Sequence, residues 1–133
     1  METYFNNKEK AKQLVDYSLL FDKNVKMSCS DIDGVVEYKD KCWIFFEVKQ
    51  GDKELSLGQK IMYERMVNDL SKVKPAILLV CSHNVDNPEE AIQLRETTVR
   101  EIFYKGKWNK PSSTLNTKDV MNSFISRCIG GKN

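Results

Sequence analysis

The spacing of apolar positions changes several times along this chain, and each change predicts an element. From Cys42 to Lys49 the run is almost unbroken. Successive strand side chains point to opposite faces, so Trp43, Phe45, Glu47 and Lys49 share one face and Cys42, Ile44, Phe46 and Val48 the other. Both faces are largely apolar, which predicts a central strand covered on both sides. Residues 32–38 form the strand before it, and the only strongly polar break between the two is Lys39-Asp40-Lys41. Taking those three residues as a hairpin loop sets Tyr38 opposite Cys42, Val36 opposite Ile44 and Asp33 opposite Glu47. Ala76 to Cys81 is a continuous apolar run between Pro75 and Ser82. It predicts a buried strand, parallel to its neighbour and reached by a helical crossover.

Helical spacing appears three times. Residues 7–21 carry a stripe of Ala11, Leu14, Val15, Ser18 and Leu19, with Asn6 or Asn7 as the cap. Leu57 to about Val73 predicts a second helix, bounded by Pro75. Asp86-Asn87-Pro88-Glu89-Glu90 predicts a loop and then a short helix start, with proline in the first turn and acids at its positive end. Residues 97–104 are rich in β-formers, and their polar alternation predicts an edge strand. Pro111 to Asn116 reads as a loop. Thr117 caps a last helix over about 118–129, which Gly130-Gly131 ends. The order helix, strand, strand, helix, strand, strand, helix predicts an α/β class, a mixed central β-sheet flanked by helices, as a single domain over residues 1–133.

Composition narrows this little. The chain has 133 residues, 41% hydrophobic and 30% charged, which places it with globular rather than disordered chains. A net charge of +2 does not by itself announce a nucleic-acid binder. Cys29, Cys42, Cys81 and Cys128 form no C-x-x-C pair, which argues against a zinc knuckle and for a reducing, cytoplasmic compartment. The residues from Met1 to Lys12 are polar and charged, so no signal peptide is expected. The longest apolar run is too short to span a bilayer.

The chemistry gathers where the hairpin closes. Directly opposed residues stand about 4.5–5.5 Å apart between Cβ atoms, and like charges there repel. Asp33 and Glu47 in that register need a counter-charge, and a divalent cation such as Mg²⁺ supplies one. Glu47 and Lys49 lie on the same strand face. Asp31, two residues before Asp33, could exchange roles with it. Gln59 and Tyr63 are four apart and share a helix face with Met66 and Leu70, so that face turns inward.

Asp33-Gly34, a hairpin-sized gap, Glu47-Val48-Lys49 on a strand and Gln59-x-x-x-Tyr63 on the following helix resemble the PD-(D/E)XK nuclease superfamily. The glutamine–tyrosine helix is similar to that of RecB-type and lambda-type exonucleases. Residues 30–82 carry the likeness, and Ile32 stands where the family name has proline. The resemblance implies a restriction-endonuclease-like core and a nuclease dependent on Mg²⁺ or Mn²⁺ that hydrolyses phosphodiester bonds in DNA. It implies Asp33 and Glu47 as metal ligands, helped by the Val48 carbonyl. It also implies that Lys49 positions or helps deprotonate the attacking water, and that Gln59 and Tyr63 contact substrate or order the site. Related nucleases often add a glutamate from the first helix. Glu9 is the candidate here, although its phasing, nearly opposite Ala11, Val15 and Ser18, favours a solvated position.

The expected partner is DNA, in a small phage-type or repair and recombination enzyme, with no membrane. A dimeric Holliday-junction resolvase and a catalytically inactive nuclease-fold binding module stand as alternatives. Two further features are candidates for substrate contact: His83 beyond the end of a strand, and the basic-aromatic mix of Arg100, Tyr104, Lys105, Lys107, Trp108 and Lys110. A loop histidine with no role is the favoured reading of the first, and a blunted sheet edge explains the second equally simply.

Overall fold

The computed structural model describes residues 15–27 and 29–130. Residues up to Asp31 and those from Ile32 onward are two separate compact units. In the first, the predicted helix does not extend over residues 15–21, which form isolated turns. Asp16 Oδ1 accepts the Ser18 N–H at 2.9 Å, and Leu20 N–H bonds Tyr17 O at 3.1 Å. A side chain that bonds its own backbone two residues on offers the chain an alternative to the helical ladder. The rest of that predicted helix, with Glu9, lies outside the described residues. Asp31 falls in this first unit.

The second unit is α/β, a mixed six-stranded sheet with a helix on each face. β1 (Gly34–Tyr38) and β2 (Cys42–Gln50) form the antiparallel hairpin in the expected register, with Tyr38 opposite Cys42, Val36 opposite Ile44 and Gly34 opposite Phe46. Lys39, Asp40 and Lys41 form the loop, as expected: Lys39 and Asp40 both have positive φ, 43° and 62°, and Lys41 N–H bonds Tyr38 O at 2.7 Å. Positive φ at both central residues matches the right-handed twist of the flanking strands.

α1 (Leu57–Ser71) then crosses over to β3 (Ala76–His83), which lies parallel to β2 from Trp43↔Ala76 to Gln50↔His83. Every residue of β3 from Ala76 to Cys81 is buried, as its unbroken apolar run requires. Between Asp86 and Gln93 there is no helix; Asn87 Oδ1 accepts the Glu89 N–H at 3.0 Å, closing a local turn instead.

β4 (Thr98–Tyr104) runs antiparallel to β3 and is not an edge. Its other side pairs with β5 (Lys107–Asn109) and β6 (Leu115–Asn116). Strands of three and two residues are too short to show a period, so the alternation of β4 alone suggested an exposed border.

α2 (Thr117–Ile129) packs on the face opposite α1. Its cap is Asn116, whose side chain accepts the Asp119 N–H at 3.1 Å, rather than Thr117. Thr117 is instead the first helical residue, buried, with its hydroxyl 2.7 Å from that of Thr97.

The sheet therefore separates two apolar layers. On one side Tyr63 and Val67 of α1 pack on Phe45, Leu78, Val80 and Phe103. On the other, Phe124 of α2 packs on Ile44, Phe46, Ile77 and Leu79. Burying a side chain such as Phe124 contributes about 1.5–3 kcal/mol. Among the described residues no helix is long and apolar enough to cross a membrane.

Candidate functional site

β1 begins, and β2 and β3 end, at the same end of the sheet, and α1 starts there. Asp33 directly precedes β1. Its Oδ2 accepts the Val48 N–H at 2.7 Å, so the carboxylate takes the place a further β1 residue would occupy on the ladder. The N–H and C=O of one strand residue point to the same side of the strand. The Val48 carbonyl is thus directed past the end of β1, on the side where Asp33 sits.

Glu47 and Lys49 project on the α1 face. Glu47 is only 4% exposed, which is rare for a charged residue unless it is paired. Both its oxygens are engaged: Tyr63 Oη donates to Oε1 at 2.6 Å and Gln59 Nε2 to Oε2 at 3.4 Å. Lys49 Nζ lies 3.7 Å from Glu47 Oε2 and donates to Gln59 Oε1 at 3.1 Å.

Gln59 can do this because the helix start fixes it. Ser56 Oγ accepts the Gln59 N–H at 3.1 Å, and Gln59 Oε1 accepts the Ser56 N–H at 3.2 Å. This capping box satisfies two otherwise orphaned donors. It also presses the Gln59 amide between Lys49 and Glu47. One turn on, Tyr63 reaches the same carboxylate from beneath, as residues four apart on a helix do.

Burial is the largest influence on the Glu47 carboxyl and pushes its pKa above the ordinary 4.5. The Tyr63 hydrogen bond pulls it back, the negative charge of Asp33 raises it again, and Lys49 lowers it. The Asp33 charge is therefore close enough to disfavour ionisation of Glu47, with one amine alongside.

Asp33, Glu47 and the Val48 carbonyl form an all-oxygen donor set, and the mutual repulsion of the acids is what a hard divalent cation relieves. Magnesium is commonly held by one or two carboxylates, with water and substrate oxygens completing its shell. The residues present fit such an ion. Among the described residues no group of three or more His, Cys, Asp or Glu side chains forms a metal cage.

The structure thus brings together Asp33, Glu47, Lys49, Gln59 and Tyr63, with Val48 through its main chain. His83 is not among them. It follows Ser82 on β3 and so faces the other side of the sheet, where its Nδ1 accepts the Val85 N–H at 3.0 Å. The basic-aromatic group is also divided. Trp108 sits on the α1 face, its indole N–H bonded to Glu64 and Lys60 Nζ 5.0 Å from its ring, whereas Tyr104 packs edge-on to Phe124 on the α2 face. Arg100 alone lies at the Glu47 end.

Sequence reasoning passed over two supports. Ser82 Oγ and Arg100 Nη1 both donate to Gly51 O, at 2.5 and 3.1 Å, and Arg100 Nη2 donates to Lys53 O. They pin the loop between Lys49 and the start of α1. The only sequence signal was a serine ending an apolar strand and an arginine inside an alternating one. Comparison with models of protein families, with curated proteins and with solved structures gives no match.

Proposed function

We propose that this chain is a nuclease of the restriction-endonuclease-like kind that hydrolyses phosphodiester bonds in DNA with Mg²⁺ or Mn²⁺. The observation that carries the reading is the buried Glu47 carboxylate, gripped by Tyr63 and Gln59, beside Asp33 and Lys49. A strand-end ion pair accounts for Glu47 and Lys49 alone. It gives no reason for a second acid at the same point, or for a helix start committed to both groups.

Asp33, Glu47 and the Val48 carbonyl would hold the cation. When bound, such an ion lowers the pKa of a coordinated water and stabilises charge on the scissile phosphate and leaving oxygen. Lys49 Nζ has three hydrogens. One goes to Gln59 and one faces Glu47, which leaves the third for the attacking water or a phosphate oxygen. Its positive charge offsets that of the phosphate. Tyr63 and Gln59 act through Glu47 and Lys49: they fix both rotamers before substrate arrives, so no ordering cost falls on the reaction.

The test is cleavage of linear, nicked, single-stranded and four-way DNA, with and without Mg²⁺ or Mn²⁺, by the wild type and by folded Asp33→Ala and Lys49→Ala. Metal-dependent cleavage that both variants lose is the expected result, and the preferred substrate separates an exonuclease-like enzyme from a junction resolvase. Full activity in both variants ends the reading. Magnesium binding with no cleavage of any substrate leaves a binding module.

A further inference from the structure

The β3–β4 ladder contains a bulge. Val80 pairs with Glu101 but Cys81 pairs with Val99, so Arg100 is left without an opposite residue. Bulges re-aim a side chain, and they are over-represented beside active sites. This one swings Arg100 toward the sheet end that carries Glu47 and Lys49.

The register carries the geometry further. Lys49 is paired with Ser82, and Ser82 with Thr98. Directly paired residues share a face, so these three form one row across β2, β3 and β4, about 10 Å from first to last at two strand spacings. The far end of the row opens into a hollow of about 400 Å³. Ser82, Thr98, Arg100, Ser112, Ser113 and Thr114 supply its polar lining. That is five hydroxyls, the Ser82 one already donated to Gly51 O, and a guanidinium, with no carboxylate among the lining residues.

Arg100 is not used up by its loop contacts. A guanidinium has five N–H donors in a fixed fork. Two go to Gly51 O and Lys53 O. Among the described residues the buried Nε has no hydrogen-bond partner, and such a group calls for an ion, a water or a functional explanation. Hydroxyl donors around a fixed cation, without a competing acid, suit a phosphate.

We infer that this hollow is a second phosphate-holding subsite. It grips the substrate backbone to one side of the phosphodiester that faces Glu47 and Lys49. The assignment rests on the proposed phosphodiester chemistry and adds to it a direction: the strand lies across the ends of β2, β3 and β4. Ser112, Ser113 and Thr114 are exposed and outside the strands and helices, so they can be altered without disturbing the core.

Two measurements on the full chain test this. In the first, ¹H–¹⁵N spectra are followed during titration with inorganic phosphate; the Ser82, Thr98 and Ser112 to Thr114 amides and the Arg100 Nε signal should move together. In the second, a fluorescent DNA duplex is titrated in EDTA, which prevents cleavage. Ser113→Asp should weaken binding about tenfold and Ser113→Lys tighten it, with melting temperatures at the wild-type value. The slope of log affinity against log salt should flatten in the first and steepen in the second by about one.

The subsite is overturned if the hollow signals stay still, or if both variants bind DNA with wild-type affinity and slope. Phosphate binding with DNA affinity indifferent to both charges overturns it too, by showing a free-anion site. Failure of the nuclease reading looks different: Asp33→Ala would cut like the wild type, whatever Ser113 does.

Discussion

The two faces of β2 are built from alternate residues of one nine-residue strand, yet they end differently. On the α2 side Cys42, Ile44 and Phe46 continue an apolar layer with Ile77, Leu79 and Phe124. On the α1 side Trp43 and Phe45 begin a similar layer, which then gives way to Glu47 and Lys49. A strand that needed only to be stable would carry apolar residues through on both faces, since replacing buried ion pairs with well-packed hydrophobes is often neutral or stabilising. The first face holds the sheet together. The second gives up part of that stability to keep two acids and an amine in one place.

That contrast can be broken by substitution on either face. The largest effect is expected from Phe46→Ala, which should lose about 3–5 kcal/mol of unfolding free energy in denaturant titration through the cavity it leaves. Metal-dependent cleavage by the fraction still folded should persist. If stability barely changes, the α2 face is not the structural one.

Tyr63→Phe comes next. It keeps the ring that packs on the sheet and removes the hydroxyl that donates to Glu47 Oε1. A hydrogen bond to a charged group is worth about 1.5–3 kcal/mol. Cleavage should fall by about 10- to 100-fold, the range seen for groups that orient a metal ligand. Equal loss of stability and no loss of cleavage would make Tyr63 a packing residue.

The smallest effect is the pH dependence of Glu47 in metal-free protein. Its pKa is raised in the folded state, so between the unfolded value near 4.5 and the folded value the native state holds more protons than the unfolded one. Stability then falls as pH rises through that window. Glu47→Gln removes the dependence. Melting temperature followed from pH 4 to 8 should therefore decline relative to the variant as pH rises, and parallel curves would contradict the raised pKa.

Much of this was legible in the sequence, and for identifiable reasons. One polar break, Lys39-Asp40-Lys41, was enough to set the hairpin register and bring Asp33 to the level of Glu47. The apolar run at Ala76 fixed the parallel strand, and Pro75 ended the helix before it. The α/β class followed from that order. Interactions that depend on distant pairing were not legible. β5 and β6 are too short to carry a pattern, so β4 looked like a border. The bulge at Arg100 arises only from its alignment with β3, and nothing local distinguishes that arginine from its neighbours. Local competition defeated the helix expectation over residues 15–21 and the short one after Asp86, where Asp16 and Asn87 bond their own backbone. At α2 the choice between Asn116 and Thr117 turned on Thr97, twenty residues away.

The contacts that build the acid cluster span short stretches of chain. Lys49 and Gln59 are 10 residues apart, Glu47 and Gln59 12, Asp33 and Val48 15, and Glu47 and Tyr63 16. Closing small loops costs little chain entropy, and chains rich in near-neighbour contacts fold fastest. One hairpin and one helix are enough to assemble this constellation, so its geometry is encoded almost entirely between residues 33 and 63. The later strands and α2 act as a buttress raised behind it.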